Sequence, residues 1–137
     1  MNEKEKWQQD IILNLIDRLN STGQYCILRN YGALPHKWAT DLDIAIELAL
    51  EPQLEACIKD LAGERKWRRT TRYQHFTQYR IFNGEEEYVQ LDFSTSITCK
   101  GLAYLEASHL LKRRQKFEDR LYIPHQVDEA IISLLHP

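Results

Sequence analysis

Asp41 and Asp43 stand two residues apart in Asp41-Leu42-Asp43-Ile44-Ala45-Ile46-Glu47-Leu48, where apolar residues alternate with the rest. Strict alternation predicts a strand over 41–48, with Leu42, Ile44, Ile46 and Leu48 on one side and Asp41, Asp43, Ala45 and Glu47 on the other. Side chains at i and i+2 leave the same face about 7 Å apart along a strand, so the two carboxylates can share a cation. Tyr88 to Phe93 repeats the arrangement: Tyr88, Gln90 and Asp92 take one face, Val89, Leu91 and Phe93 the other. In both strands the aspartates lie opposite the apolar face. Were the strands neighbours, three carboxylates would converge, and their repulsion would call for a cation. Mg²⁺ prefers carboxylate oxygen and retained water, and commonly reaches phosphates through one or two carboxylates; Mn²⁺ accepts the same donors. An Asp-x-Asp alone is a weak motif that a turn residue after Thr40 and a solvated strand residue would also produce. The shared phase with Asp92 favours the metal site.

Other residues could meet an anion near these carboxylates. Arg29, His36, Lys37 and Lys100 have side chains that complement phosphate, and each is also an ordinary surface residue. His36 and Lys37 stand out because they precede Asp41 in the loop. The basic segment Trp67 to Tyr73 has the charge to follow a nucleic-acid backbone, with Trp67, Tyr73 and Phe76 for stacking. Alternation splits its basic residues between two faces, so a solvated edge strand protected by charge is the better reading. Lys112, Arg113, Arg114 and Lys116 read as the exposed side of a helix. His75, His109, His125 and His136 lack ligand spacing.

The elements that must position these residues are legible in part. Trp7, Ile11, Ile12, Leu15, Ile16 and Leu19 recur at helical spacing from about Glu3 to Asn20, and Ser21-Thr22-Gly23 ends the helix. Tyr25-Cys26-Ile27-Leu28 predicts a buried strand running to about Tyr31, followed by a turn at Asn30 to Pro35 and a loop to Thr40. Glu51-Pro52 begins a helix with Leu54, Cys57, Ile58 and Leu61 inward and Gly63 as its stop. Strands follow over Trp67 to Tyr73, Phe76 to Phe82 and Tyr88 to Phe93, with Asn83-Gly84 as a hairpin signal in a loop lengthened by Glu85-Glu86-Glu87. Lys100-Gly101 suggests a turn, Leu102 to Lys116 a helix and Leu121-Tyr122-Ile123 an extended piece. Pro124 opens a last helix whose apolar positions are Val127, Ala130, Ile131, Leu134 and Leu135. This order predicts an α+β fold, a mixed sheet with helices mainly on one face.

The 137 residues suit one domain and a single core, and 43% hydrophobic with 28% charged residues is a globular composition. No apolar run approaches the roughly 20 residues of a membrane span, and the charged Met1-to-Lys6 start is unlike a signal peptide, which predicts a cytoplasmic protein. Cys26, Cys57 and Cys99 are odd in number, widely spaced and set in apolar stretches, as reduced core or near-core residues would be. A net charge of -2 provides no overall attraction to nucleic acid, although Arg65 to Arg72 and Lys112 to Lys116 are locally basic.

Leu28-Arg29-Asn30-Tyr31-Gly32-Ala33-Leu34-Pro35, Thr40 to Ile46 and Val89-Gln90-Leu91-Asp92-Phe93 together resemble the DNA polymerase beta-like nucleotidyltransferase superfamily, over roughly residues 25 to 93. The Leu-Arg-Asn-Tyr opening, Ile123-Pro124 and the terminal Leu-Leu-His look like small bacterial nucleotidyltransferase-like proteins. The resemblance implies a mixed sheet flanked by helices and transfer of a nucleoside monophosphate from a nucleoside triphosphate to a hydroxyl or phosphate acceptor. It makes Asp41 and Asp43 the metal-binding pair, with Mg²⁺ or Mn²⁺, and Asp92 the third carboxylate that helps activate the acceptor. The superfamily's triphosphate-holding position falls nearest Gly32 and Ala33, and His36 and Lys37, singled out above from their place in the loop, would be the basic residues that reach the phosphates. Members usually carry Gly-Ser or Gly-Gly at a helix start there; Gly32-Ala33 lacks the hydroxyl, and Pro35 falls in the seven residues before Asp41. The acceptor stays open between a small molecule, a protein and an RNA end. A catalytically weak domain of the same fold, serving as a regulatory or partner-binding module completed by another chain or by a helical region beyond Pro137, is the alternative. A metal-dependent nuclease is a third class, without the Glu-x-Lys that would place its lysine beside Asp92.

Overall fold

A computed structural model describes residues 3–22, 24–29, 31, 32, 34, 41–73, 75–99 and 102–135. Helix α1 (Glu3–Thr22) leads into strand β1 (Tyr25–Ile27), and β2 (Asp41–Ile46) is followed by a 3₁₀ turn (Leu48–Leu50) and α2 (Glu51–Ala62). Strands β3 (Trp67–Tyr73), β4 (Phe76–Asn83) and β5 (Glu87–Ser94) come next, then the pair β6 (Ser96–Cys99) and β7 (Leu102–Glu106). Helix α3 (Ala107–Lys112), the pair β8 (Gln115–Phe117) and β9 (Leu121–Ile123), and α4 (Gln126–Leu135) complete the order.

Five strands form one mixed sheet in the order β1-β2-β5-β4-β3, with β2 parallel to β5 and the other pairs antiparallel. The fold is α+β, as the element order implies. Trp7, Ile12, Leu15 and Leu19 of α1 and Leu54, Ile58 and Leu61 of α2 pack on Ile27, Leu42, Ile44, Ile46, Ile81, Val89 and Leu91 in the main core. The two longer helices therefore share one face of the sheet. On the other face Leu110 and Leu111 of α3 and Ile132 of α4 meet Cys26, Leu28, Ala45 and Ile97 in a smaller core. That second layer covers β1 and the Ala45 end of β2.

Local chemistry accounts for several boundaries. Pro52 stands in the first turn of α2, where its missing N–H is harmless, and Gly63 closes the helix at φ 61°, a conformation costly for other residues. Gly84, at φ 80°, turns the β4–β5 hairpin, in which Asn83 pairs with Glu87. Cys26 is fully buried, and burial pushes its thiol up to about 12, which leaves it unreactive; Cys57 is half-buried and free. No helix among the described residues is long and apolar enough to cross a membrane.

Four expectations need correcting. β1 stops at Ile27, although Leu28 N–H still donates to the Asp43 carbonyl at 2.9 Å. β2 ends at Ile46, and Leu48 is exposed because the chain has already turned: Leu50 N–H bonds the Glu47 carbonyl at 3.0 Å ahead of Pro52. Residues 102–116 do not form one helix. Leu102–Glu106 pairs with Ser96–Cys99, leaving six residues for α3, and the basic run divides among α3, the turn and β8. There Arg113 forms an ion pair with buried Asp128, while Arg114 and Lys116 lie over the Tyr122 ring at 4.1 and 5.7 Å. Finally, α4 buries Asp128 and Ile132, whereas Val127 and Leu134 are 53% and 82% exposed and Ala130 is exposed.

Candidate metal centre

The parallel ladder between β2 and β5 sets Asp43 opposite Asp92 and Asp41 opposite Gln90. The period-2 pleat then brings all three aspartates to one face, because their neighbours Leu42, Ile44, Leu91 and Phe93 are held in the core beneath. One carboxylate oxygen from each of Asp41, Asp43 and Asp92 lies within 4.8 Å of the others. Among the described residues this is the one group of acidic, histidine or cysteine side chains with metal-ligand proximity, and no histidine joins it.

The three carboxyls occupy different environments. Asp92 is 5% exposed, whereas Asp41 and Asp43 are half-buried. Burial drives the Asp92 pKa up to about 7, assisted by a hydrogen bond shared with Asp41 and by the charge of Asp43; hydrogen bonds from Gln90 and Gln78 oppose the rise. Gln90 Nε2 donates to both Asp92 oxygens at 3.2 and 3.4 Å. Gln90 is held in turn by Arg80, whose Nε donates to Gln90 Oε1 at 3.0 Å while the guanidinium lies over the Tyr88 ring at 4.6 Å. Asp43 faces Arg29, with Nε to Oδ2 at 2.8 Å. A buried carboxyl that shares its face with two more suits a divalent cation, which would displace its proton and replace the repulsion with coordination.

The other residues singled out in the sequence stand differently. Gly32 is an exposed turn residue; the turn closes through Leu34 N–H to the Tyr31 carbonyl at 3.1 Å, and a Cβ on Gly32 would meet nothing within 4 Å. Ala33, His36, Lys37 and Lys100 lie outside the described residues. Arg29 is not a bystander on the surface, since it is the partner of Asp43. Gln78 and Gln90 escaped sequence reasoning. Gln90 shares the phase of Asp92, which was a usable signal; Gln78 arrives from β4 through the register Gln78↔Asp92, which no local pattern announces. Of the aromatics considered for stacking, Trp67 packs against the main core instead. Comparison with family models, curated proteins and solved structures yields no match to this chain.

Proposed function

We propose that this chain is a metal-dependent nucleotidyltransferase-like protein that uses Mg²⁺ or Mn²⁺ to bind a nucleoside triphosphate and pass its nucleoside monophosphate to an acceptor. The supporting observation is the convergence of Asp41, Asp43 and Asp92 within 4.8 Å on adjoining strands. Asp41 and Asp43, the more accessible pair, would hold the ion, with Asp92 as the third ligand. A bound divalent cation supplies charge neutralisation for the triphosphate and lowers the pKa of a hydroxyl beside it. In the transfer, the acceptor oxygen bonds the α-phosphorus, the bond from that phosphorus to the bridging oxygen breaks, and pyrophosphate leaves. Asp92, whose carboxylate lies on the same face as the other two, would be the group beside the acceptor hydroxyl able to take its proton. Arg29, released from Asp43 as a cation arrives, is placed to meet a phosphate oxygen.

Calorimetric titration with ATP, GTP, CTP and UTP, with and without Mg²⁺, tests the reading on the wild type and on Asp43→Asn. Binding should require the metal and vanish in the variant. A specific observation favours a second reading, that of a weakly active domain acting as a regulatory or partner-binding module: Gly32 sits in an exposed turn where a Cβ would meet nothing within 4 Å among the described residues, so nothing there requires a glycine. Failure of all four nucleotides to bind at millimolar concentration would decide for that second reading.

A further inference from the structure

Among the described residues, the face of the sheet that carries the aspartates runs from buried Asp92 and Gln78 to half-buried and exposed side chains toward β3. By register, one row across it reads Asp41, Gln90, Arg80 and Arg68, and the row beyond pairs Tyr88 with Phe82. Arg68 is exposed, and Arg80, Phe82, Tyr88 and Gln90 are half-buried. Neither Phe82 nor Tyr88 belongs to a core cluster. Instead their rings lie 6.0 Å apart, with Arg80 over Tyr88 at 4.6 Å and Arg68 over Phe82 at 5.7 Å. Adjacent strands are about 4.8 Å apart, so the row sets Arg80 about 10 Å and Arg68 about 14 Å from Asp41, at right angles to the strands.

We infer that this face binds a single-stranded polynucleotide, laid across β5, β4 and β3 with its terminal nucleotide toward the carboxylates. As the acceptor of the transfer this rests on the nucleotidyltransferase reading; as a binding surface it does not. Charge and shape both select the occupant. Beyond Asp92, the described positions of β3, β4 and β5 on this face carry cations and no carboxylate, while Glu85 and Glu86 at the hairpin tip bound it with the opposite sign. Two guanidiniums placed over aromatic rings can pair with phosphates and, with those rings, offer planar groups on which unpaired bases stack. A duplex offers no free base faces, and a small acceptor would leave Arg68 unused.

Fluorescence anisotropy of labelled ten-nucleotide single strands, RNA and DNA, at low salt and without divalent metal tests the inference, with a base-paired hairpin and inorganic polyphosphate as competitors. Single strands should bind, the hairpin and polyphosphate should compete poorly, and log affinity should fall with log salt at a slope of about −1.4 for two phosphate contacts. Arg68→Ala should weaken binding several-fold and reduce that slope by about 0.7, with Arg68→Lys restoring the slope. Tyr88→Leu should weaken binding about fivefold or more with the slope unchanged. Arg68 is exposed, so its variants keep the fold. Absence of binding by the wild type, indifference to Arg68→Ala, or polyphosphate competing as well as the single strand would each overturn the inference. Asp43→Asn separates the two proposals: it should lose metal-dependent triphosphate binding and keep the polynucleotide. Single-strand binding without any triphosphate binding would sink the transferase reading and leave the surface.

Discussion

Asp92 is the residue on which the electrostatics of the site turn, since it is deeply buried and shares its face with two more carboxylates. Its raised pKa has a signed consequence. Between about pH 4 and pH 7 the unfolded chain gives up this proton while the folded protein retains it, so the folded state binds more protons and stability falls as pH rises through that window. The metal-free protein should lose roughly 2–4 kcal/mol across it, three pH units at about 1.4 kcal/mol each setting the ceiling. Chemical denaturation at pH 5 and pH 8 should show the loss, and Asp92→Asn should remove its pH dependence. A wild-type profile that is flat, or that rises with pH, would contradict the burial argument. Divalent affinity should show the complementary trend, increasing with pH up to about 7 and then levelling, because coordination needs the carboxylate.

At the scale of elements, β2 is gripped on its apolar side and α4 is not. Ile44 is fully buried in the main core, so Ile44→Ala should cost about 2–5 kcal/mol in a urea melt. In α4 the contrast lies between neighbours: Ile132→Ala should be destabilising on that same scale, whereas Leu134→Ala should change stability by less than about 0.5 kcal/mol. Equal effects at the two positions would mean that the helix is rotated from the orientation described. Asp128 fixes that orientation. It is wholly buried, pairs with Arg113 through one oxygen, and leaves Oδ2 without a hydrogen-bond partner. Arg113→Ala should therefore cost about 3 kcal/mol by stranding a buried charge, and joint replacement of Arg113 and Asp128 by apolar residues should recover most of it.

The molecule as a whole couples folding to the site, because β2 and β5 sit side by side in the sheet and no segment of either is local to the other. A cation that binds only the folded protein should raise stability by about 2.7 kcal/mol at one hundred times its dissociation constant, read as a shift in the thermal midpoint with Mn²⁺. Asp43→Asn should abolish the shift. Salt should act separately, since the net charge is only -2 and the cations of the same sheet face lie apart from the carboxylate cluster.

By itself the sequence determined what depends on period and on local backbone chemistry. The alternation from Asp41 to Ile46 and from Tyr88 to Phe93 settled which side chains face the core, and with them the common phase of the three aspartates. Pro52, Gly63 and Gly84 marked a helix start, a helix stop and a hairpin turn because their dihedral requirements are intrinsic. Tertiary structure decided what depends on a partner. That β2 and β5 are parallel neighbours in register, which turns a shared phase into a cluster within 4.8 Å, is a long-range pairing with no local signature. Residues 102–106 pair with β6 against their apparent helical pattern, since ladder hydrogen bonds outweigh a weak propensity. In α4 apolar residues at 127, 130, 131, 132, 134 and 135 surround more of the helix than one stripe, so periodicity could not choose the inward side. The Asp128–Arg113 pair, joining two elements fifteen residues apart, made that choice.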